Sequence, residues 1–152
     1  MVTGELATFL SGQIDIHIGT RDADLRPHSA RASAVRVEDD GEHVVAFVPA
    51  LGADAVLQDL DSNGQAALFV GRPPDNLAYQ LKGTVTGSRP ATADERDYIE
   101  RFWDSFLEAM AVIGFDRAIF RHWPVWPSVA IRMRVTAVFR QTPGPGTGAP
   151  VA

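Results

Sequence analysis

The sequence predicts a mostly β fold: a small β-barrel of about six antiparallel strands with accessory helices and one long helix in the C-terminal half. Three observations carry this. Short segments alternate apolar and polar residues with a period of two. Gly, Pro, Asn and Asp punctuate the chain between them. A long helical repeat occurs once, late in the chain. With 152 residues, 45% of them hydrophobic, the chain is long enough for one real core and short for two ordinary domains. Residues 1–142 are read as that one domain.

Leu6, Phe9 and Leu10 are spaced for one face of a short leading helix, with Thr3 as its cap and Gly12 as its stop. Ile14, Ile16 and Ile18 then alternate with Gln13, Asp15 and His17, the pattern of a half-buried strand. Arg21–Asp24 supplies a turn, and His28–Val37 reads as a second strand with small residues (Ser29, Ala30, Ala32, Ser33, Ala34) at its middle. Small side chains on a strand fit either close packing within the fold or a bulky group lying against the backbone. Glu38-Asp39-Asp40-Gly41 is a hairpin turn of the Asp-Gly kind, leading into a third strand over His43–Val48.

Ala53–Leu60 has the spacing of a short helix ended by Asn63-Gly64. Gln65–Gly71 and Leu77–Ser88 are a fourth and a fifth strand, the latter with Tyr79, Leu81, Gly83 and Val85 on one face and Gln80, Lys82 and Thr84 on the other. Thr92-Ala93-Asp94-Glu95 is a capping box. Ile99, Phe102, Trp103, Phe106, Met110 and Ile113 follow at helical spacing as a core-facing stripe, and Gly114 ends the helix. Two prolines keep His122–Pro127 irregular. Ser128–Arg140 alternates as a long last strand, and the Pro/Gly-rich stretch 143–152 is expected to be a disordered tail.

The formal net charge of −5 argues against a general binder of phosphate backbones, which needs a basic surface. No nucleic-acid partner is expected, although Arg21, Arg26, Arg31 and Arg36 leave room for a local basic pocket. The start of the chain has no secretory leader pattern, and no apolar run approaches the roughly 18–20 residues of a membrane helix. The cysteine count is zero, which rules out disulfides and thiolate metal sites and fits a reducing compartment. The expected location is cytoplasmic, away from membranes. There is no Gly-x-Gly-x-x-Gly, no Walker loop and no Gly-x-Ser-x-Gly elbow. His17, His28, His43 and His122 lack metal-ligand spacing, and no metal site is expected. Motifs alone specify no enzyme class.

The order of elements resembles one family. Asp24-Leu25-Arg26-Pro27-His28-Ser29-Ala30-Arg31 looks like the opening of the second strand of pyridoxamine 5′-phosphate oxidase-like proteins. Val44–Pro49, Ala53–Leu60 and Gln65–Val70 resemble that family's strand–helix–strand unit, and Tyr79–Val85 the strand carrying its recurring glycine. The likeness runs over roughly Leu6–Phe139 and resides in order and spacing. It implies a split β-barrel working as a homodimer, with FMN at the subunit interface and a small-molecule substrate.

On that resemblance, Arg31 and Ser33 are candidates for the phosphate, and Gln80 and Lys82 for the ring or phosphate. Trp123 and Arg132 are candidates for what the partner subunit contributes. Leu51-Gly52-Ala53-Asp54 stands where the family usually carries Ser or Thr and a basic residue, so the usual grip is expected to be either missing or rebuilt from Arg31 or Arg72. The implied activity is flavin-dependent oxidoreduction, with the redox chemistry supplied by the cofactor. The alternative is a non-catalytic split barrel that has lost FMN or binds a deazaflavin or haem, His122 or His28 being the candidate axial ligands.

Overall fold

The structure is a computed structural model and describes residues 2–151. Helix α1 (Gly4–Phe9) is followed by strands β1 (Asp15–Arg21), β2 (Pro27–Ala32), β3 (Ala34–Val37) and β4 (His43–Pro49). Helix α2 (Asp54–Asn63), β5 (Gln65–Gly71), β6 (Ala78–Pro90), helix α3 (Ala93–Val112), a single 3-10 turn (Arg117–Phe120) and β7 (Ser128–Arg140) complete the chain. Among the described residues, no helix is long and apolar enough to cross a membrane.

All seven strands form one antiparallel sheet in the order β2-β1-β5-β6-β7-β4-β3. The two edge strands, β2 and β3, are consecutive in the chain with Ser33 alone between them. A sheet whose opposite edges are joined by one residue cannot lie flat, so it curls into a half-barrel. The strand predicted over 28–37 is therefore two strands. At Ser33 the backbone leaves β1, and its amide donates to the Phe47 carbonyl of β4 at 2.8 Å. Ala32 and Ala34, on either side, are almost fully buried, and small side chains let the chain turn this corner.

Inward-facing Ile16, Ile18, Leu68, Val70, Leu81, Val138, Met133 and Val44 fill the barrel. The α3 stripe packs against it from outside through Ile99 and Phe102, while Trp103 and Phe106 form a separate cluster with Leu107 and Phe120, and Ile113 emerges exposed at the helix end. The capping box forms, with the Thr92 amide donating to Glu95 at 2.9 Å. Gly64 ends α2 in the left-handed region at φ 66°, as its position predicted. The stretch from Pro143 folds back along β7. The Gly148 amide donates to the Arg140 carbonyl and the Val151 amide to Val138, with Pro150 bridged to Phe139. β7 offers it an open row of backbone groups, which composition alone does not reveal.

Candidate functional site

The outer face of β2-β1-β5-β6 is left uncovered over part of its area and carries most of the candidate residues. Directly paired residues on antiparallel strands share a face. One cross-strand row reads Arg31–His17–Phe69–Gln80–Phe139, and the next reads Ser29–Gly19–Ala67–Lys82–Ala137. Arg31, Gln80 and Lys82, far apart in sequence, are thus on one face. Arg31 and Gln80 are three strands apart, about 14 Å at the usual strand spacing.

Two cavities occupy this face. The larger, about 460 Å³, runs over β1, β5 and β6, with Gly19 and Ala67 in its floor. Gln80, Lys82, Arg21, Gln65, Thr84 and Thr136 surround it. The second, about 360 Å³, lies at the β2 edge between His17, Arg31, Leu51, Gly52, Trp123 and Pro124. Both fall within the size range of small-molecule sites, roughly 300–1,000 Å³.

Arg31 is held from both sides. Its Nη2 lies 2.6 Å from Asp15 Oδ1. Its guanidinium carbon lies 4.5 Å from the Phe106 ring centre, 4.7 Å from Trp123 and 5.4 Å from Trp103. Burial lowers the Arg31 pKa, with Asp15 opposing the shift. Burial pushes the Asp15 carboxyl up, but the hydrogen bond to His17 and the Arg31 charge outweigh it and hold Asp15 below the usual range. The second Asp15 oxygen engages His17 Nε2 at 3.2 Å. Ser33 is 3% exposed, and its hydroxyl has no hydrogen-bond partner among the described residues.

Among the known proteins, no family model matches the sequence, and no curated protein does either. Solved structures do match in three dimensions. An F420 reductase aligns with a TM-score of 0.61 at 15% identity, covering 90% of this chain and 98% of that one. A protein of Lactobacillus delbrueckii, provisionally named pyridoxamine 5′-phosphate oxidase, aligns at 0.56 and 13%, covering 90% and 92%. An FMN-binding protein of Syntrophomonas wolfei aligns at 0.52 and 12%, covering 86% and 76%. The fold is the pyridoxamine 5′-phosphate oxidase-like split barrel.

Within this split barrel, Trp123 joins Arg31 at the β2-edge cavity, as a candidate from a distant segment. Arg132 does not join them. It lines a separate cavity of about 310 Å³ over β3, β4, β6 and β7 and forks onto Glu38, with Nη2 2.7 Å from Oε2. Arg72 forks onto Asp75 in its own turn and stacks on Phe9, and it does not line the cavity that holds Leu51 and Gly52. His28 is held by Asp59 at 2.8 Å, and His122 accepts from Arg121. Neither lines the two outer-face cavities.

Sequence reasoning passed over three residues here, Asp15, His17 and Gln65, and gave Arg21 only as part of a possible local basic pocket. The polar alternation on β1 put Asp15 and His17 on an outward face, but their proximity to Arg31 depends on the β1–β2 register. Glu38, Asp40 and His43 also cluster on the β3–β4 hairpin. Asp40 is spent on the amides of Glu42 and His43, which hold its carboxyl at about 2, and Glu38 is spent on Arg132.

Proposed function

We propose that the chain binds a flavin-type cofactor on the outer face of β1, β5 and β6 and uses it in oxidoreduction of a small molecule. One observation carries the reading. A cavity of about 460 Å³ has a floor of Gly19 and Ala67 and a rim of Gln65, Gln80, Lys82 and Arg21. A flat ring needs such a floor, because side chains there would hold it off the strands. The amides of Gln65 and Gln80 offer a donor and an acceptor each to the polar edge of a ring system. The fold likeness to proteins named for F420 and for FMN supports the same class of ligand.

Bound there, the flavin would supply hydride or electron transfer. The chain's own residues would bind and orient it and keep water from one ring face. FMN is the cofactor proposed.

A homodimer is part of the proposal. Leu51 (80% exposed) and Trp123 (40% exposed) are large apolar side chains on the wall of the β2-edge cavity. Phe69 (40% exposed) stands beside His17 on the same face. A second protomer over this face would cover them and close the open side of the cofactor site.

The test is the absorption spectrum of the purified protein, alone and after incubation with FMN or F420, together with light scattering. A flavin band that comigrates with a dimer supports the reading. A band gained with F420 alone reassigns the cofactor to a deazaflavin. A protein colourless with either one overturns it.

A further inference from the structure

We infer that the anionic tail of the cofactor is held by Lys82 and Arg21, at the β1–β5–β6 groove, and not by Arg31 at the β2 edge. The inference rests on the flavin reading above and concerns which end of the outer face receives the charge.

The cations of this face differ in what already neutralises them. Arg31 is ion-paired to Asp15 and enclosed by three aromatic rings. A phosphate brought to it would meet the Asp15 carboxylate, and like charges at that range repel. The neighbouring start of α2 carries Asp54, an acidic residue in the first turn, and its cap residue Ala53 offers no side-chain donor. Ser33 is buried away from the surface.

The groove is the reverse case. Its lining includes Arg21 and Lys82 and no carboxylate. Among the described residues neither forms an ion pair. Arg21 gives one N–H to the Asp22 carbonyl, and the Lys82 ammonium lies 5.1 Å from the Phe139 ring centre. Lys82 is the chain's one lysine. A compact ammonium suits a point contact with a phosphate oxygen, and Arg21 can add a fork of donors. The hydroxyls of Thr84 and Thr136 stand on the same rim.

The experiment compares FMN with riboflavin, which lacks the phosphate, by flavin fluorescence on protein freed of cofactor. The wild type is expected to bind FMN at least about tenfold more tightly than riboflavin, since a charge-assisted contact is worth that much. Lys82→Met should abolish that gap with riboflavin affinity unchanged, and Arg21→Gln should narrow it. Lys82 is exposed, so this variant should fold. Acylation of the Lys82 amine, read by peptide mass spectrometry, should be slowed by FMN and not by riboflavin. A gap that survives Lys82→Met, or equal wild-type affinities for both ligands, overturns the inference while leaving the flavin reading standing. Binding of neither ligand overturns both.

Discussion

Arg31 and Asp15 are linked across β1 and β2 at 2.6 Å, with the guanidinium also covered by the rings of Phe106, Trp123 and Trp103. The pair joins the barrel edge to α3 and to the segment before β7. Arg31→Ala should cost about 2 kcal/mol, because it strips three cation–π contacts and leaves a half-buried carboxylate with His17 as its one remaining side-chain partner among the described residues. Arg31→Ala with Asp15→Asn should cost less than the two single changes together. Urea unfolding of the three variants measures both.

Glu95 should make the protein acid-sensitive. A hydrogen bond from Arg89 first, then the Thr92 amide and Arg36, hold its carboxyl at about 2 against the opposing push of burial. The ordinary value is 4.5. A depressed carboxylate stabilises fully above its unfolded pKa and loses that contribution as pH falls from about 4.5 toward 2. With Arg89 half exposed, solvent screening leaves about 2 kcal/mol at most. Melting temperatures followed from pH 6 downward should fall less steeply for Glu95→Gln than for the wild type.

Gly83 sits at a register shift between β6 and β7, where a Cβ would run into the carbonyl of Arg134 and into Met133 Cγ. The obstacle is backbone, so Gly83→Ala should destabilise by roughly 2–4 kcal/mol. Gly87, on the same strand, has nothing within 4 Å of such a Cβ. Gly87→Ala should therefore be close to neutral. Chemical denaturation of the two variants side by side separates steric conflict from any general intolerance of β6.

Asp59 pins α2 to the β1–β2 edge. It accepts from Thr20 Oγ1 at 2.7 Å and meets His28 Nδ1 at 2.8 Å. Burial pushes its carboxyl up, but the hydrogen bonds from Thr20 and His28 more than offset this and hold it below the usual range. Asp59→Ala should speed amide exchange in α2 while leaving β6 and β7 protected. The wild type should show the same loosening as pH falls below the ordinary aspartate range.

Long, strongly patterned elements were legible in the sequence. β5 and β7 keep their predicted ends, and Thr92–Glu95 opens α3 where the capping box lies. These features depend on neighbours in the chain: alternation, spacing, a cap three residues away. Less legible was the split at Ser33, because its cause, the Phe47 carbonyl, lies on another strand. The ordered return of residues 143–151 was hidden for a similar reason, since its partners are backbone groups of β7.

The candidate site divides along the same line. Sequence by itself determined a mostly β chain with an outward polar face holding Gln80 and Lys82, and a small-residue strand carrying Arg31 and Ser33. Only the tertiary structure decided which of those residues are neighbours and which charges are already neutralised. Arg31 against Asp15, Arg132 against Glu38 and Lys82 without a carboxylate are consequences of strand register and sheet curl. Register is fixed by pairing across the whole barrel, and a pair of charges meets only where two strands are brought side by side.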